Sequence, residues 1–147
     1  MLRRLLPLLA LALAAATPAR AQTALALFQE MELVGTFAYD CARAAGDNGN
    51  VRTIYAGAAN GALTLTYEFG PARAPNRYTI LTAHQVAPGR VFYLEELSDG
   101  RRIEIVLLKQ GNRIRVWSSR MVTGQVLVAN GRFASDGRDS PWQTRCY

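Results

Sequence analysis

From residue 35 onward, hydrophobic and polar side chains alternate with a period of two. Turns rich in Gly, Asn, Asp or Pro interrupt the alternation at roughly 8–12-residue intervals, the pattern of an all-β sandwich or barrel. The cleanest stretch is Leu63-Thr64-Leu65-Thr66-Tyr67-Glu68-Phe69. Other stretches fall at 35–41, 51–57, 77–86, 91–97, 102–109, 113–121, 126–129 and 142–146. Residues 23–34 differ: behind a capping Thr23, Ala24, Leu27, Phe28 and Met31 recur at helical spacing. The prediction is an all-β fold, an antiparallel up-and-down meander closing into a barrel of about eight strands, with a short N-terminal helix across one end.

Turn chemistry extends this to register. Asn-Gly and Asp-Gly favour two-residue hairpin turns, because both central positions need positive φ. A two-residue turn at Asp99-Gly100 sets Phe92 opposite Leu107, Leu94 opposite Ile105 and Glu96 opposite Ile103. One at Gly111-Asn112 sets Leu107 opposite Val116, Ile105 opposite Ser118 and Ile103 opposite Arg120. The resulting apolar face, Phe92, Leu94, Ile103, Ile105, Leu107, Ile114 and Val116, is assigned to the core. Leu63, Leu65, Tyr67 and Phe69 join it, with Ile54 and Ala56 beside them. The opposite face carries Tyr93, Val106 and Trp117 in one row, surrounded by Glu95, Glu104, Arg113 and Arg115. Apolar residues ringed by charge suggest a contact surface. The alternatives are that this face lies under the helix or that the two faces are exchanged.

The first residues bear on compartment. Arg3 and Arg4 precede an apolar run at 5–16, followed by Ala19-Arg20-Ala21. That is the order of a cleavable export signal, and the run is shorter than the ~20 residues of a membrane span. Residues 1–21 are therefore assigned as the leader and 22–147 as a single domain. Cys41 and Cys146 then enter an oxidising compartment, periplasmic or extracellular, where a disulfide is the default state. Removal of Arg3, Arg4 and Arg20 takes the formal net charge from +6 to +3. No long basic run is present, so nucleic acid is a poor partner.

A short helix, then Gly35-Thr36-Phe37 opening the first strand, then a hairpin meander and a C-terminal disulfide, resembles the lipocalin or calycin barrels. Their first strand carries G-x-W, and a late-strand arginine packs across the tryptophan. Here Phe37 takes the tryptophan's place, and Arg115, Arg120 and Arg145 are candidates for the arginine. The resemblance implies a cavity for a small apolar ligand. Small secreted inhibitor barrels with one disulfide are a second resemblance.

Chemistry-bearing patterns are few. His84 is in phase with Tyr78, Ile80 and Val86, which predicts an inward, structural histidine. Glu95, Glu96 and Glu104 form the one carboxylate cluster; the expected register sets Glu95 opposite Glu104, with Arg102 diagonal to Glu95. Glu96 and Arg120 are expected to flank Ile103 on the inner face, where such a pair would hold a polar ligand group or, the preferred reading, plug the barrel end. Asp47-Asn48-Gly49-Asn50 lacks the length and closing Glu of a calcium loop. No nucleophile elbow, phosphate loop or metal motif occurs, so no catalytic residue, cofactor or metal is assigned. The leading expectation is an exported, non-enzymatic protein holding a small hydrophobic or amphipathic ligand inside the barrel, against Phe37, Tyr67, Phe69 and Phe92. The alternative is an envelope protein–protein module, such as an inhibitor of an exported hydrolase. It would work through Tyr93, Val106, Arg113, Arg115 and Trp117.

Overall fold

The computed structural model describes residues 22–146, so the leader assigned to 1–21 lies outside the described residues. Thr23 starts the helix: its hydroxyl accepts a bond from Ala26 N at 3.2 Å, and α1 runs Ala24–Glu30. Ten strands follow: β1 (Gly35–Ala38), β2 (Arg52–Gly57), β3 (Leu63–Glu68), β4 (Asn76–Ala87), β5 (Arg90–Glu96), β6 (Arg102–Gln110), β7 (Arg113–Met121), β8 (Val126–Ala129), β9 (Arg132–Phe133) and β10 (Gln143–Cys146). Among the described residues, no helix is long and apolar enough to cross a membrane.

The strands pair antiparallel in chain order, and β10 closes the circle. It sets Cys146 opposite Thr36 and Thr144 opposite Ala38 on β1, and Gln143 opposite Ile114 on β7. β1 to β7 and β10 thus form a closed eight-stranded barrel. β7 is shared: its start pairs β10, while Ser119 and Arg120 pair β8, which with β9 hangs as a side hairpin. Closure removes the open edges a meander would leave at its two ends. The Cys41–Cys146 disulfide, with Cα atoms 5.4 Å apart, ties the ends. Of the three candidate arginines, Arg145 stands in register opposite Phe37 and donates to Val34 O at 3.0 Å.

The lumen is filled from the helix side. Phe28, fully buried, lies 5.2 Å from Tyr55 and 5.8 Å from Tyr93, centroid to centroid. Leu27, Leu33, Leu63, Leu65, Val91, Ile105, Leu107 and Ile114 complete the core. Leu63 and Leu65 are inside as expected, and so are Ile105, Leu107 and Ile114.

The face assignment of β5 is corrected. Leu97 and Arg101 close a three-residue loop (Leu97 N to Arg101 O, 2.8 Å) with Gly100 at φ +82°, rather than a two-residue turn. The extra loop residue slips the pairing by one: Phe92 faces Val106, Tyr93 faces Ile105, Leu94 faces Glu104 and Glu95 faces Ile103. A one-residue slip sends every side chain of a strand to the other face. Val91, Tyr93 and Glu95 are therefore buried, while Phe92 and Leu94 are on the outer wall.

The β6–β7 register holds as far as Leu107 opposite Val116. A bulge at Trp117 then shifts it, so Ser118 faces Val106, Ser119 faces Ile105 and Arg120 faces Glu104. On β2, Thr53 and Tyr55 are buried instead of Ile54 and Ala56. The Tyr55 hydroxyl finds a buried partner inside, which Ile54 could not use. A register shift at Leu81 likewise turns His84 outward, where its ring lies 4.8 Å from Phe92.

Candidate functional site

Two regions carry concentrated chemistry: the lumen and the outer wall of β5–β8. In the lumen, the Tyr55 and Tyr93 hydroxyls lie 3.2 Å apart, both buried. Burial raises the pKa of each, and of Tyr67, so all three stay neutral beyond the ordinary tyrosine range. Glu95 stands beside them, 3% exposed, between Ile80 and Ile103 on its neighbouring strands. Its Oε2 has no hydrogen-bond partner, and desolvation pushes its pKa up to about 7. The expected carboxylate pair is absent: Arg102 binds Glu96 at 2.9 Å and Arg120 binds Glu104 at 3.0 Å, both pairs on the outside. The end plug of Glu96 with Arg120 is accordingly not formed.

Of the residues expected to line a ligand cavity, Phe37 is buried with its ring 6.2 Å from Tyr55. Phe69 is half-buried, stacked 6.5 Å from Tyr67 with Arg73 above it at 4.0 Å. Phe92 is outside. Only Tyr67 lines the interior space. That space measures about 110 Å³, bounded by Thr53, Tyr55 and Tyr67 on one side and Leu107, Ile114 and Val116 on the other. It reaches the wall where β7 parts from β10, at Ser140 and Pro141. A small-molecule site is usually ~300 Å³ or more, and an apolar cavity of about 150 Å³ takes benzene. Phe28, Tyr55 and Tyr93 occupy the volume a carrier's lumen would leave empty.

The outer wall is different. Tyr93 leaves the expected surface row for the core. Val106 and Trp117 remain on the wall, both half-buried. Arg90 lies 4.4 Å above the Trp117 ring, Arg115 sits 5.9 Å from Trp117 and 5.4 Å from Trp142, and Arg113 5.0 Å from Trp142. The ladder Arg90–Trp117–Arg115–Trp142–Arg113 arises because Arg90 and Arg115 both stand opposite Leu108. Arg115 is anchored by donation to Gly131 O at 2.6 Å. Gly131 sits at φ +74°, where a side chain is strained, and a Cβ there would push the Arg115 guanidinium off its place. Arg90, Arg113 and Arg115 make no ion pair among the described residues.

Beside the ladder lies an open groove of about 420 Å³. Phe92 and Val106 form its floor, Val126 and Val128 its flank, and the Glu104–Arg120 pair its rim. It exists because β8 pairs only the end of β7 and so rises beside the wall. Sequence reasoning had Val106, Arg113, Arg115 and Trp117 for this surface. It missed Phe92, Arg90 and Trp142, and in the lumen Tyr55 and Glu95. A three-residue loop at Asp99-Gly100 would have brought Phe92 out and Glu95 in. Among the described residues, no group of three or more His, Cys, Asp or Glu could hold a metal ion. No family model matches this chain, and neither a curated protein nor a solved structure does.

Proposed function

We propose that the protein is an exported, non-enzymatic binding module of the bacterial envelope that engages a protein partner through the outer wall of β5–β8. One contrast carries this reading: the space inside the barrel is about 110 Å³, while the apolar groove outside is about 420 Å³. The groove fits an apolar side chain of the partner, and the free guanidinium edges of Arg90 and Arg113 fit its carboxylates. Trp, Tyr and Arg are the residues that usually dominate interface energies. The leader, the disulfide and the closed barrel are compatible with export and with the lipocalin-like plan, with Gly35-Thr36-Phe37 and Arg145 as its sequence counterparts. Val106→Asp should cost ~2 kcal/mol of binding or more, about a 30-fold loss, while the melting curve stays near wild type. Unchanged capture of the envelope partner by that variant would remove the groove from the interface.

A second reading keeps a ligand inside, favoured by the Thr53 hydroxyl, which is buried beside the lumen space and has no partner. It is restricted to a ligand smaller than benzene with a hydrogen-bonding group. Val116→Phe would fill the space: a ligand still bound by that variant lies elsewhere.

A further inference from the structure

The seam between β7 and β10 is only partly zipped. Gln143 pairs Ile114 and Thr144 pairs Arg113, and the two strands then part. The chain before β10 bridges the gap. Buried Ser140 donates its hydroxyl to Val116 O at 2.5 Å and its N–H to Gly131 O at 2.8 Å. Gly131 O also receives Arg115 Nη2. These bonds hold Arg115 and Ser140 against the interior space of about 110 Å³, which reaches the wall at this seam.

Two donors on residues bordering this space have nothing to donate to. Arg115 Nε and the Thr53 hydroxyl are both buried, and neither has a hydrogen-bond partner. A buried donor left unpaired is costly, so an acceptor at this place is favoured. Arg115 also lacks a counter-charge. It makes no ion pair, and among the described residues no Asp or Glu borders the space, Glu95 included. The other side of the space, Leu107, Ile114 and Val116, is hydrocarbon. A water takes up about 30 Å³ of liquid, so the volume holds about three or four non-hydrogen atoms.

We propose that the space at the β7–β10 seam binds a small monocarboxylate anion of the size of acetate. A carboxylate is the acceptor that both donors lack, and its bond with a guanidinium N–H is charge-assisted. A short hydrocarbon end suits Leu107, Ile114 and Val116. Water would satisfy the donors but would leave the guanidinium without an anion and set polar molecules against hydrocarbon. The volume excludes longer and aromatic acids. The proposal rests on the second reading above, whose ligand class it names, and leaves the outer-wall reading untouched.

NMR titration of the isotopically labelled, oxidised mature protein with sodium acetate tests it, at neutral pH and fixed ionic strength. The reporters are the Arg115 Nε–H signal and the amides of Thr53 and of residues 114–116. The expected result is saturation with a Kd of about 5 mM or tighter, within reach of a four-atom ligand. Acetamide, the neutral isostere, should bind about 10-fold more weakly or worse, because it brings no charge to Arg115. Thr53→Val keeps the side-chain shape and removes only an unpartnered hydroxyl. It should weaken acetate about 5-fold or more while the melting temperature does not fall. Weaker or non-saturating acetate binding overturns the proposal, and so does acetate binding that Thr53→Val leaves unchanged. Acetamide binding as tightly as acetate also overturns it, but the second reading then stands with a neutral ligand. No shift from either compound overturns the proposal and that reading together.

Discussion

At the residue scale, Glu95 is the most consequential side chain. It is a carboxyl held in the lumen among Ile80, Ile103 and the tyrosines, with one oxygen unpartnered. Its folded pKa of about 7 lies above the ordinary 4.5. Between those values the unfolded chain releases the proton and the folded chain keeps it, so stability falls as pH rises through that window and stays low above it. The full penalty is roughly 3 kcal/mol. Urea denaturation should therefore find the wild type less stable at pH 8 than at pH 5. Glu95→Gln should flatten that dependence and exceed the wild type at pH 8. An unchanged slope in the variant would place the titration elsewhere. The register puts Arg102 and Arg120 on the outside, where they pair with Glu96 and Glu104, and so leaves Glu95 without a cation to hold its ionised form.

At the element scale, α1 acts as the stopper of the barrel, and Phe28 is the part of it that reaches the lumen. Phe28→Ala removes a fully buried ring that touches both Tyr55 and Tyr93. It should cost about 3–5 kcal/mol, read as a lower urea midpoint. A loss under ~1 kcal/mol would mean the helix only rests on the surface. The helix itself was legible in the spacing of Leu27 and Phe28 behind Thr23, and the strands were legible in their alternation. What the alternation did not carry was parity. Tyr93 and Phe92 are adjacent and both aromatic, as Ile54 and Tyr55 are adjacent and both apolar, so hydrophobicity alone selects neither face. The decision falls to loop length and bulges, at Gly100, Leu81 and Trp117. The same slip hid Glu95 from view as a lumen residue. The ladder was half legible: Arg113, Arg115 and Trp117 lie close in sequence, whereas Arg90 and Trp142 arrive only through strand pairing.

At the scale of the whole molecule, the barrel is closed twice, by β10 pairing with β1 and β7 and by the Cys41–Cys146 bridge. The bridge spans 105 residues, and in the chain-entropy model such a loop contributes about 4–5 kcal/mol. Cys41→Ser with Cys146→Ser should lower the unfolding free energy by that order. An unchanged midpoint would mean the β1–β10 pairing holds the ends unaided. The proposed outer-wall function leaves the lumen, with its space of about 110 Å³, as the contrasting site. The most direct test is site-specific photo-crosslinking in the envelope, with the photoreactive residue placed at Val106 in the groove or at Val116 in the lumen. The account predicts a discrete protein adduct from position 106 and none from position 116. No adduct at 106, together with a small-molecule adduct at 116, would contradict it.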